Sequence, residues 1–178
     1  MDYLQYPICL NLAGRTCLVI GGGSVAERKV EGLLATGARI VVVSPKVSPC
    51  LAKWAREGLV EHRARAFEES DLDGAFLVVS ATNREPVNVA VATQCRRRGV
   101  LVNVVDRPDA CDFTLPSVLR RGSLCVAVST GGKSPATARL VREELENHLG
   151  EEYGVFLDLL GEARTRLQAR VADPTVRM

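Results

Sequence analysis

Aromatic residues are scarce in this sequence, and their scarcity limits the kind of core that the chain can build. They account for 4% of the 178 residues, whereas 47% of the chain is apolar. The core must therefore consist mainly of Val, Leu, Ala and Ile side chains. Valine-rich runs such as 38–43 and 75–80 are typical of strands that are buried on both faces of a parallel sheet.

A strong charge of one sign and long apolar runs are also missing. The formal net charge of +2 is too small to indicate a nucleic-acid partner. No apolar run is long enough to span a membrane, and the N-terminus does not have the layout of a signal peptide. We therefore expect a cytoplasmic protein that binds neither nucleic acid nor membranes.

Histidine is almost absent, and the cysteines are scattered. His62 and His148 are far apart and lack the spacing of metal ligands, so we predict no metal site. The six cysteines include no C-x-x-C pair, and several lie in apolar runs, which indicates reduced thiols in the core. The sequence also shows no Cys-His-Asp cluster that would indicate a nucleophilic hydrolase.

The segment 17–29 is the strongest functional signal in the chain. An apolar run precedes three glycines, Gly21, Gly22 and Gly23, and a stretch with helical spacing follows them. Strand, tight turn and helix form the geometry of a dinucleotide-binding βα unit. Glycine triplets also occur in ordinary loops, but the strand before this one and the helix after it favour dinucleotide binding.

The small residues of this segment each have a possible role. Gly21 would allow a sharp turn after the strand, and Gly23 would let the backbone approach a pyrophosphate. Ala26 is small enough for the helix to pack against the strand. Ser24 can cap a helix that begins at about Val25, and the N-terminus of that helix would direct unpaired N–H groups at the phosphates.

Alternating strand and helix patterns predict a doubly wound parallel sheet of the Rossmann type. The predicted strands are residues 15–20, 38–43, 59–63, 75–80 and 100–105. The predicted helices are residues 25–36, 48–57 and 85–98, with a helical turn at 67–72. We expect the third strand, which is short and polar, to lie near an edge of the sheet.

The pattern changes after Asp106. Two strand-like runs without a helix between them predict an antiparallel pair, at 113–119 and 124–129, and two helices are expected at 134–149 and 152–171. The predicted domains are a dinucleotide-binding domain at 1–110, a β-plus-helix segment at 111–149 and a short C-terminal helical segment at 150–178. A two-stranded ribbon is marginally stable by itself, so we expect a homodimer formed through residues 112–148.

In a sheet of this type, ligands bind beyond the carboxyl ends of the strands. The loops at these ends contain the predicted cofactor-binding residues, which are Gly21, Gly22, Gly23, Ser24, Val25, Ser44, Pro45, Thr82 and Asn83. Thr82 and Asn83 would lie beside the nicotinamide ribose. The alternative is a turn in which both side chains bond their own backbone.

The end of the second strand departs from the usual NAD-binding pattern. An Asp or Glu normally binds the ribose hydroxyls there, but this chain has Ser44, Pro45 and Lys46. Ser44 can still bond a ribose hydroxyl, whereas Lys46 leaves room for a 2′-phosphate. We favour NAD over NADP as the cofactor.

Asp106 is the ionisable residue of greatest interest, because it ends the apolar strand 100–105 at the same rim of the sheet. A carboxylate there can take a proton, orient a cationic substrate or bind a metal. The alternative is a structural role as a turn or helix cap before Pro108.

A second glycine-rich turn, residues 129–135, joins a strand to a helix. Its backbone N–H groups could bind an anion. A carboxylate-rich organic substrate is a better match than a nucleoside triphosphate, because the four-residue spacer of a P-loop is absent. The structural alternative is a helix start with Ser134 as its cap and Pro135 in its first turn.

Four segments together indicate a family. They are residues 21–29 (GGGSVAERK), 103–108 (NVVDRP), 113–117 (FTLPS) and 126–135 (VAVSTGGKSP). Their sequence, order and spacing resemble the N-terminal domain of siroheme synthase and the stand-alone precorrin-2 dehydrogenases. The first and last segments in combination are far more specific than a glycine fingerprint alone.

This resemblance implies NAD-dependent oxidation of precorrin-2, a reduced tetrapyrrole rich in carboxylates, to sirohydrochlorin by a homodimer. It implies a role for Asp106 in proton abstraction. The residues that would bind the substrate are Arg107, Ser129, Thr130, Gly131, Gly132 and Lys133. Two alternatives remain open, namely an additional ferrochelatase activity at the same cleft and a regulatory module that binds NAD without chemistry.

The chain ends at Met178, which leaves fewer residues after Leu149 than the family's helical domain normally has. We therefore expect a more open cleft. We also expect that the chain carries no fused C-terminal methyltransferase.

Overall fold

The computed structural model describes residues 5–170, which divide into two compact units. Residues up to Thr114 form the first unit, and residues from Leu115 onward form the second. The division thus falls just after the predicted boundary at residue 110, and the last helix belongs to the second unit. The three predicted domains remain a prediction, and Val171, the predicted end of the last helix, lies outside the described residues.

The first unit contains a five-stranded parallel sheet. Its strands are β1 (Thr16–Ile20), β2 (Arg39–Val43), β3 (Glu61–Arg63), β4 (Ala75–Ser80) and β5 (Leu101–Val104). The helices that connect them are α1 (Ser24–Leu34), α2 (Pro49–Arg56) and α3 (Glu85–Arg98). The strand order β3-β2-β1-β4-β5 confirms the predicted Rossmann-type sheet and the edge position of β3.

Successive strands are added to the sheet first on one side of β1 and then on the other, and this change of side positions the site. From β1 the chain builds outward through β2 and β3, and it then returns to the other side of β1 to add β4 and β5. Connections therefore diverge at the carboxyl ends of β1 and β4. A crevice forms at such a point in open α/β sheets.

Apolar residues fill both faces of this sheet. Cys17 and Val19 of β1 pack on one face, and Leu18 and Ile20 pack on the other. All four are at most 2% exposed. Strands buried on both faces need continuous apolar runs, and this is why the valine-rich runs predict a parallel sheet.

The cysteines are only partly in the core. Cys17 and Cys95 are buried, and burial raises the pKa of each thiol to about 11. Cys9 and Cys125 are exposed, so the prediction of core thiols is wrong for these two. Cys125 lies in a strand whose residues alternate between more and less exposed positions, and the alternation turns it outward.

The start of α1 differs from the prediction by one residue. Gly23, not Ser24, is the N-cap, because its carbonyl accepts the first helical hydrogen bond, from the Glu27 N–H at 3.0 Å. Ser24 is therefore the first helical residue and does not cap the helix. At the start of α2, Ser48 is the N-cap, since Ser48 Oγ accepts a hydrogen bond from the Leu51 N–H at 3.2 Å.

The second unit contains an antiparallel hairpin and two helices. Its elements are β6 (Ser117–Arg121), β7 (Leu124–Val128), α4 (Pro135–His148) and α5 (Glu152–Arg170). The antiparallel pair is confirmed, but residues 113–116 are not part of it. Pro116 has no N–H to donate, so the ladder begins at Ser117.

Within residues 5–170, no helix has both the length and the apolar character needed to cross a membrane.

Candidate active site

A cleft of about 660 Å³ lies at the carboxyl ends of β1, β2, β4 and β5. It brings together, in one place, the predicted cofactor-binding residues and the predicted catalytic residue. These are Gly21, Gly22, Gly23, Ser24, Val25, Ser44, Pro45, Thr82, Asn83 and Asp106. Four loops that are distant in sequence meet here because parallel strands end at the same edge of the sheet.

The first two glycines let the turn after β1 pack tightly against neighbouring loops. A Cβ at Gly21 would overlap with the Ala81 carbonyl oxygen and lie 2.8 Å from its carbon, and the φ of Gly21 is +122°. A Cβ at Gly22 would overlap with the Lys46 carbonyl oxygen and lie 2.9 Å from Ser44 Oγ. These positions accept only glycine because backbone atoms occupy the space that a side chain needs.

Gly23 is different, because the space beside it is open. A Cβ built there would meet no atom of the described residues within 4 Å, and the backbone of Gly23 is in an ordinary extended conformation. Ser24 and Val25 follow it into the first turn of α1 and also line the cleft. The first N–H groups of a helix have no partner within the helix, so this end of the cleft suits an anion.

The loop after β2 is ordered by backbone and side-chain hydrogen bonds. Ser44 Oγ donates to the Lys46 carbonyl oxygen at 2.7 Å, and the Ser44 carbonyl oxygen lies 2.9 Å from His62 Nε2. The Ser48 N–H donates to the Gly22 carbonyl oxygen at 2.8 Å. The loop is thus fixed against the glycine turn, with the exposed Lys46 at its outer edge.

Thr82 has the structural role that was the alternative for this loop. Its Oγ1 accepts a hydrogen bond from the Arg84 N–H at 3.1 Å and donates to Asn88 Oδ1 at 3.1 Å. Asn88 Nδ2 donates to the Thr82 carbonyl oxygen at 3.1 Å, so Thr82 also anchors the loop to α3. Asn83 is exposed in the cleft.

Asp106 follows β5 in an unusual backbone conformation. Its φ of +60° makes it the one non-glycine residue among the described residues with a positive φ. Such a conformation is disfavoured for residues with a Cβ, although Asp and Asn adopt it more readily than most. Asp106 is exposed and lines the cleft, so its carboxylate is available to a ligand.

Arg107 was predicted to bind substrate, but its guanidinium already has two acidic partners. It donates to both carboxylate oxygens of Asp109, at 3.1 and 2.9 Å, and it pairs with Glu85 at the start of α3. The hydrogen bonds and charge of Asp109, with the charge of Glu85, raise the pKa of Arg107. A substrate carboxylate would have to replace one of these partners.

The other predicted substrate-binding residues belong to the second unit, in the turn before α4. Thr130 Oγ1 accepts a hydrogen bond from the Ser134 N–H at 3.1 Å, and Ser129 Oγ accepts one from the Gly131 N–H at 3.2 Å. Gly131, Gly132 and Lys133 are exposed. The predicted helix start is confirmed, because Ser134 Oγ accepts a hydrogen bond from the Thr137 N–H at 3.2 Å.

Part of the cleft wall was not predicted from the sequence. Ala66 and Phe67 line it from the connection after β3, and Arg84 and Val87 line it from the start of α3. Phe67 is one of only four phenylalanines in the chain. Its rarity was the signal that could have found it.

A buried carboxylate holds the connection that carries Phe67. The side chain of Asp71 is 0% exposed, and it accepts hydrogen bonds from Arg65 at 2.6 Å and Arg63 at 2.8 Å. It also accepts one from the Glu68 N–H at 2.9 Å. Burial raises the pKa of Asp71, but these hydrogen bonds outweigh burial and lower it to about 2.

Among the described residues, no group of three or more His, Cys, Asp or Glu side chains is arranged to hold a metal ion. The site is therefore defined by its glycine turn, its hydroxyl and amide groups and the single carboxylate Asp106. Fold and cleft together define the class of protein, which is a Rossmann-type domain built for a dinucleotide.

Comparisons with known proteins name the family. A family described as putative NAD(P)-binding matches residues 8–117, and one described as sirohaem biosynthesis protein central matches residues 121–148. The chain is 41% identical over 177 residues to siroheme synthase of Methylococcus capsulatus, covering 99% of this chain and 37% of that protein. It is 44% identical over 164 residues to siroheme synthase of Methylobacillus flagellatus, covering 92% of this chain and 35% of that protein.

A solved structure agrees with these matches. SirC, precorrin-2 dehydrogenase, superimposes with a TM-score of 0.80 at 32% identity, over 97% of this chain and 85% of that one. The chain therefore belongs to the NAD(P)-binding family that includes SirC and the matching part of the siroheme synthases. It spans little more than a third of the length of the siroheme synthases, 37% and 35% of the two named above.

Proposed function

We propose that this chain catalyses the NAD-dependent oxidation of precorrin-2 to sirohydrochlorin in the cytoplasm. The observation that carries the proposal is the position of Asp106, whose carboxylate lines a cleft that otherwise fits a dinucleotide. Membership of the family that includes SirC, precorrin-2 dehydrogenase, supports this choice of substrate.

The cleft fits the cofactor in size and in the chemistry of its walls. Its volume of about 660 Å³ lies within the range of small-molecule sites, which is about 300–1,000 Å³. The open side of Gly23 leaves room for a pyrophosphate to approach the backbone at the start of α1. When bound there, NAD supplies an acceptor for a hydride.

Ser44 supports NAD over NADP, although no acid follows β2. Its hydroxyl donates to the Lys46 carbonyl oxygen at 2.7 Å, and a carbonyl cannot donate in return, so Ser44 Oγ is left as an acceptor. A ribose 2′-OH can donate to it, whereas a 2′-phosphate dianion offers only acceptors. The exposed Lys46 ammonium acts in the opposite direction, so we expect the preference for NAD to depend on Ser44.

Asp106 is the base in the proposed reaction. Oxidation removes one hydrogen from precorrin-2 as a hydride, with its electron pair, and a second hydrogen as a proton from an adjoining carbon or nitrogen. Asp106 accepts that proton, and the products are sirohydrochlorin, NADH and a proton. Its left-handed backbone conformation, with φ of +60°, is the kind of local strain that clusters at functional sites.

We assign substrate binding to Arg107 and to the turn before α4, whose residues are Ser129, Thr130, Gly131, Gly132 and Lys133. Gly131, Gly132 and Lys133 are exposed just before a helix start, a place that suits a carboxylate. The Gly131 and Lys133 N–H groups already donate to Ser129 Oγ and the Thr130 carbonyl oxygen, so a substrate carboxylate would replace these partners. Arg107 is well suited to a bidentate carboxylate pair, as its present pairing with Asp109 illustrates.

The variant Asp106→Asn tests the proposed base. Asn also tolerates a left-handed backbone but cannot accept the proton, so kcat should fall about 100-fold or more while NAD affinity stays unchanged. The measurement is the appearance of sirohydrochlorin absorbance in the presence of precorrin-2 and NAD. Asp73→Asn serves as the control, because Asp73 is an exposed carboxylate just before the amino end of β4, whereas the cleft lies at the carboxyl end. Wild-type turnover by Asp106→Asn would exclude the base role.

We also propose that the chain forms a homodimer through residues 112–148. Within that range the described structure exposes apolar side chains, with Leu140 57%, Val118 38% and Val141 37% exposed. Burial of such side chains against a second copy would remove apolar surface from water. Sedimentation at micromolar concentration should show a dimer, and a monomer would contradict the proposal.

A further inference from the structure

The strand that carries Asp106 lies at an edge of its sheet, and the chain returns to cover that edge. Among residues 5–170, β5 has a neighbouring strand, β4, on one side only. On the other side the Val102 N–H donates to Asp112 Oδ2 at 3.0 Å, and the Asp112 N–H donates to the Val102 carbonyl oxygen at 2.8 Å. Residues 102 and 112 thus form the closed base of a loop with Asp106 near its tip.

Cys111 occupies the interior of this loop. Its Sγ accepts a hydrogen bond from the Val104 N–H at 3.2 Å. It also lies 3.2 Å from the Val104 carbonyl oxygen and 3.2 Å from the Arg107 carbonyl oxygen, so it can donate to either. Asn103 Nδ2 approaches the same sulfur at 3.5 Å. The thiol therefore contacts the chain immediately before and immediately after the tip.

The thiol remains a donor at neutral pH. Burial is the main reason that the pKa of Cys111 is raised above its ordinary value, so the sulfur keeps its proton. A protonated thiol can serve the Val104 N–H and one carbonyl at the same time. Serine offers the same two functions over a shorter reach, and alanine offers neither.

Cys111 contacts the two residues that close the turn around Asp106, Val104 and Arg107. The Arg107 N–H donates to the Val104 carbonyl oxygen at 3.2 Å and closes the turn, and Asp106 lies within that turn at a φ of +60°. A left-handed non-glycine residue persists only where surrounding contacts enforce it. Loss of the sulfur would remove a contact from both ends of the turn and leave it to two backbone hydrogen bonds, from the Arg107 N–H to the Val104 carbonyl oxygen and from the Ala110 N–H to the Arg107 carbonyl oxygen. The carboxylate of Asp106 would then be held less firmly in its direction.

We propose that Cys111 is a positioning residue for the reaction, because its thiol holds the turn that presents Asp106 to the cleft. This inference rests on the proposed function of Asp106 as the base. It assigns to Cys111 no contact with cofactor or substrate.

The test compares Cys111→Ala and Cys111→Ser with a matched control, Cys95→Ala. Cys95 is a fully buried thiol of α3 in the hydrophobic cluster against which Cys111 packs. Its alanine variant therefore also removes one cysteine sulfur from this cluster but leaves the contacts of the turn intact. Cys111→Ala should lower kcat by about tenfold or more relative to Cys95→Ala, because a misdirected catalytic group loses rate steeply. The affinity for NAD and the KM for precorrin-2 should stay close to the control values, and Cys111→Ser should recover part of kcat.

Hydrogen exchange of residues 104–107, measured on the same proteins, separates this inference from the proposed function. Faster exchange in Cys111→Ala than in Cys95→Ala is expected whether or not the protein turns over precorrin-2. If the wild-type chain is inactive or Asp106→Asn is fully active, the proposed function fails, and exchange alone then decides whether Cys111 holds the turn. Equal exchange or equal kcat in Cys111→Ala and Cys95→Ala would overturn the inference, as would a Cys111→Ser variant no better than Cys111→Ala.

Discussion

Replacement of Gly23 by alanine should separate cofactor binding from folding. Without ligand, the new Cβ meets nothing within 4 Å in the part of the chain that the structure describes, and the backbone angles, φ −86° and ψ −173°, are allowed for alanine. Alanine is a poorer N-cap than glycine by up to about 1 kcal/mol, and it also lowers the entropy of the unfolded chain by about 0.4–1 kcal/mol. These effects oppose each other, so the free energy of unfolding should change by less than about 1 kcal/mol.

The same methyl group should strongly weaken NAD binding. It would occupy the open space through which a pyrophosphate approaches the start of α1, so we expect the affinity to fall by at least about tenfold, or about 1.4 kcal/mol. Gly22→Ala is the matched contrast. Its Cβ would overlap with the Lys46 carbonyl oxygen and lie 2.9 Å from Ser44 Oγ, so overpacking should destabilise the fold itself by about 1–3 kcal/mol.

The assay for both variants is thermal unfolding without ligand, followed by calorimetric titration with NAD. The expected pattern is a stable Gly23→Ala that binds NAD poorly and a Gly22→Ala that is less stable. A Gly23→Ala variant that binds NAD as tightly as the wild-type chain would refute the placement of the pyrophosphate at this turn.

Two further predictions concern the loops around the same cleft. Asp71→Asn should destabilise the protein at neutral pH by about 2 kcal/mol, because the folded pKa of about 2 lies below the unfolded value of about 3.9. For the same reason, this stabilisation should be present above about pH 4 and be lost as the pH falls through about 2. Urea unfolding of the wild-type chain and the variant at several pH values measures it. Equal stability of the two proteins at pH 7 would contradict the prediction. Ser44→Ala should weaken NAD binding by about 0.5–1.5 kcal/mol without weakening NADP binding, as measured by titration with each; an unchanged NAD affinity would show that Ser44 does not bind the ribose.

Much of the fold could be predicted because its signals are local. β4 and α3 occupy the predicted residues, since the apolar run of β4 begins directly after Gly74 and α3 has Pro86 in its first turn and Gly99 after its last residue. The convergence of the cofactor loops followed from the rule that parallel strands end at one edge. The glycine turn and Asp106 were therefore predicted to lie at one rim of the sheet, and both line the cleft there.

The remainder depends on contacts between residues that are distant in sequence. Arg107 was predicted to bind substrate, but its pairing with Glu85 crosses 22 residues and has no local signature. From the sequence, Cys111 could not be told apart from the other cysteines, because the contacts of its sulfur with the Val104 and Arg107 carbonyl oxygens depend on the fold of the loop. The N-cap of α1 was misplaced because a serine is normally the stronger cap, whereas here the tight packing of the preceding glycines sets where the helix begins.

The most direct test of the central claim is the stoichiometry of the reaction. The full chain is mixed anaerobically with precorrin-2 and NAD, and NADH and sirohydrochlorin are quantified together. The account predicts that both appear in equal amounts and that neither appears when NAD is omitted. Binding of NAD without formation of NADH in the presence of precorrin-2 would contradict it.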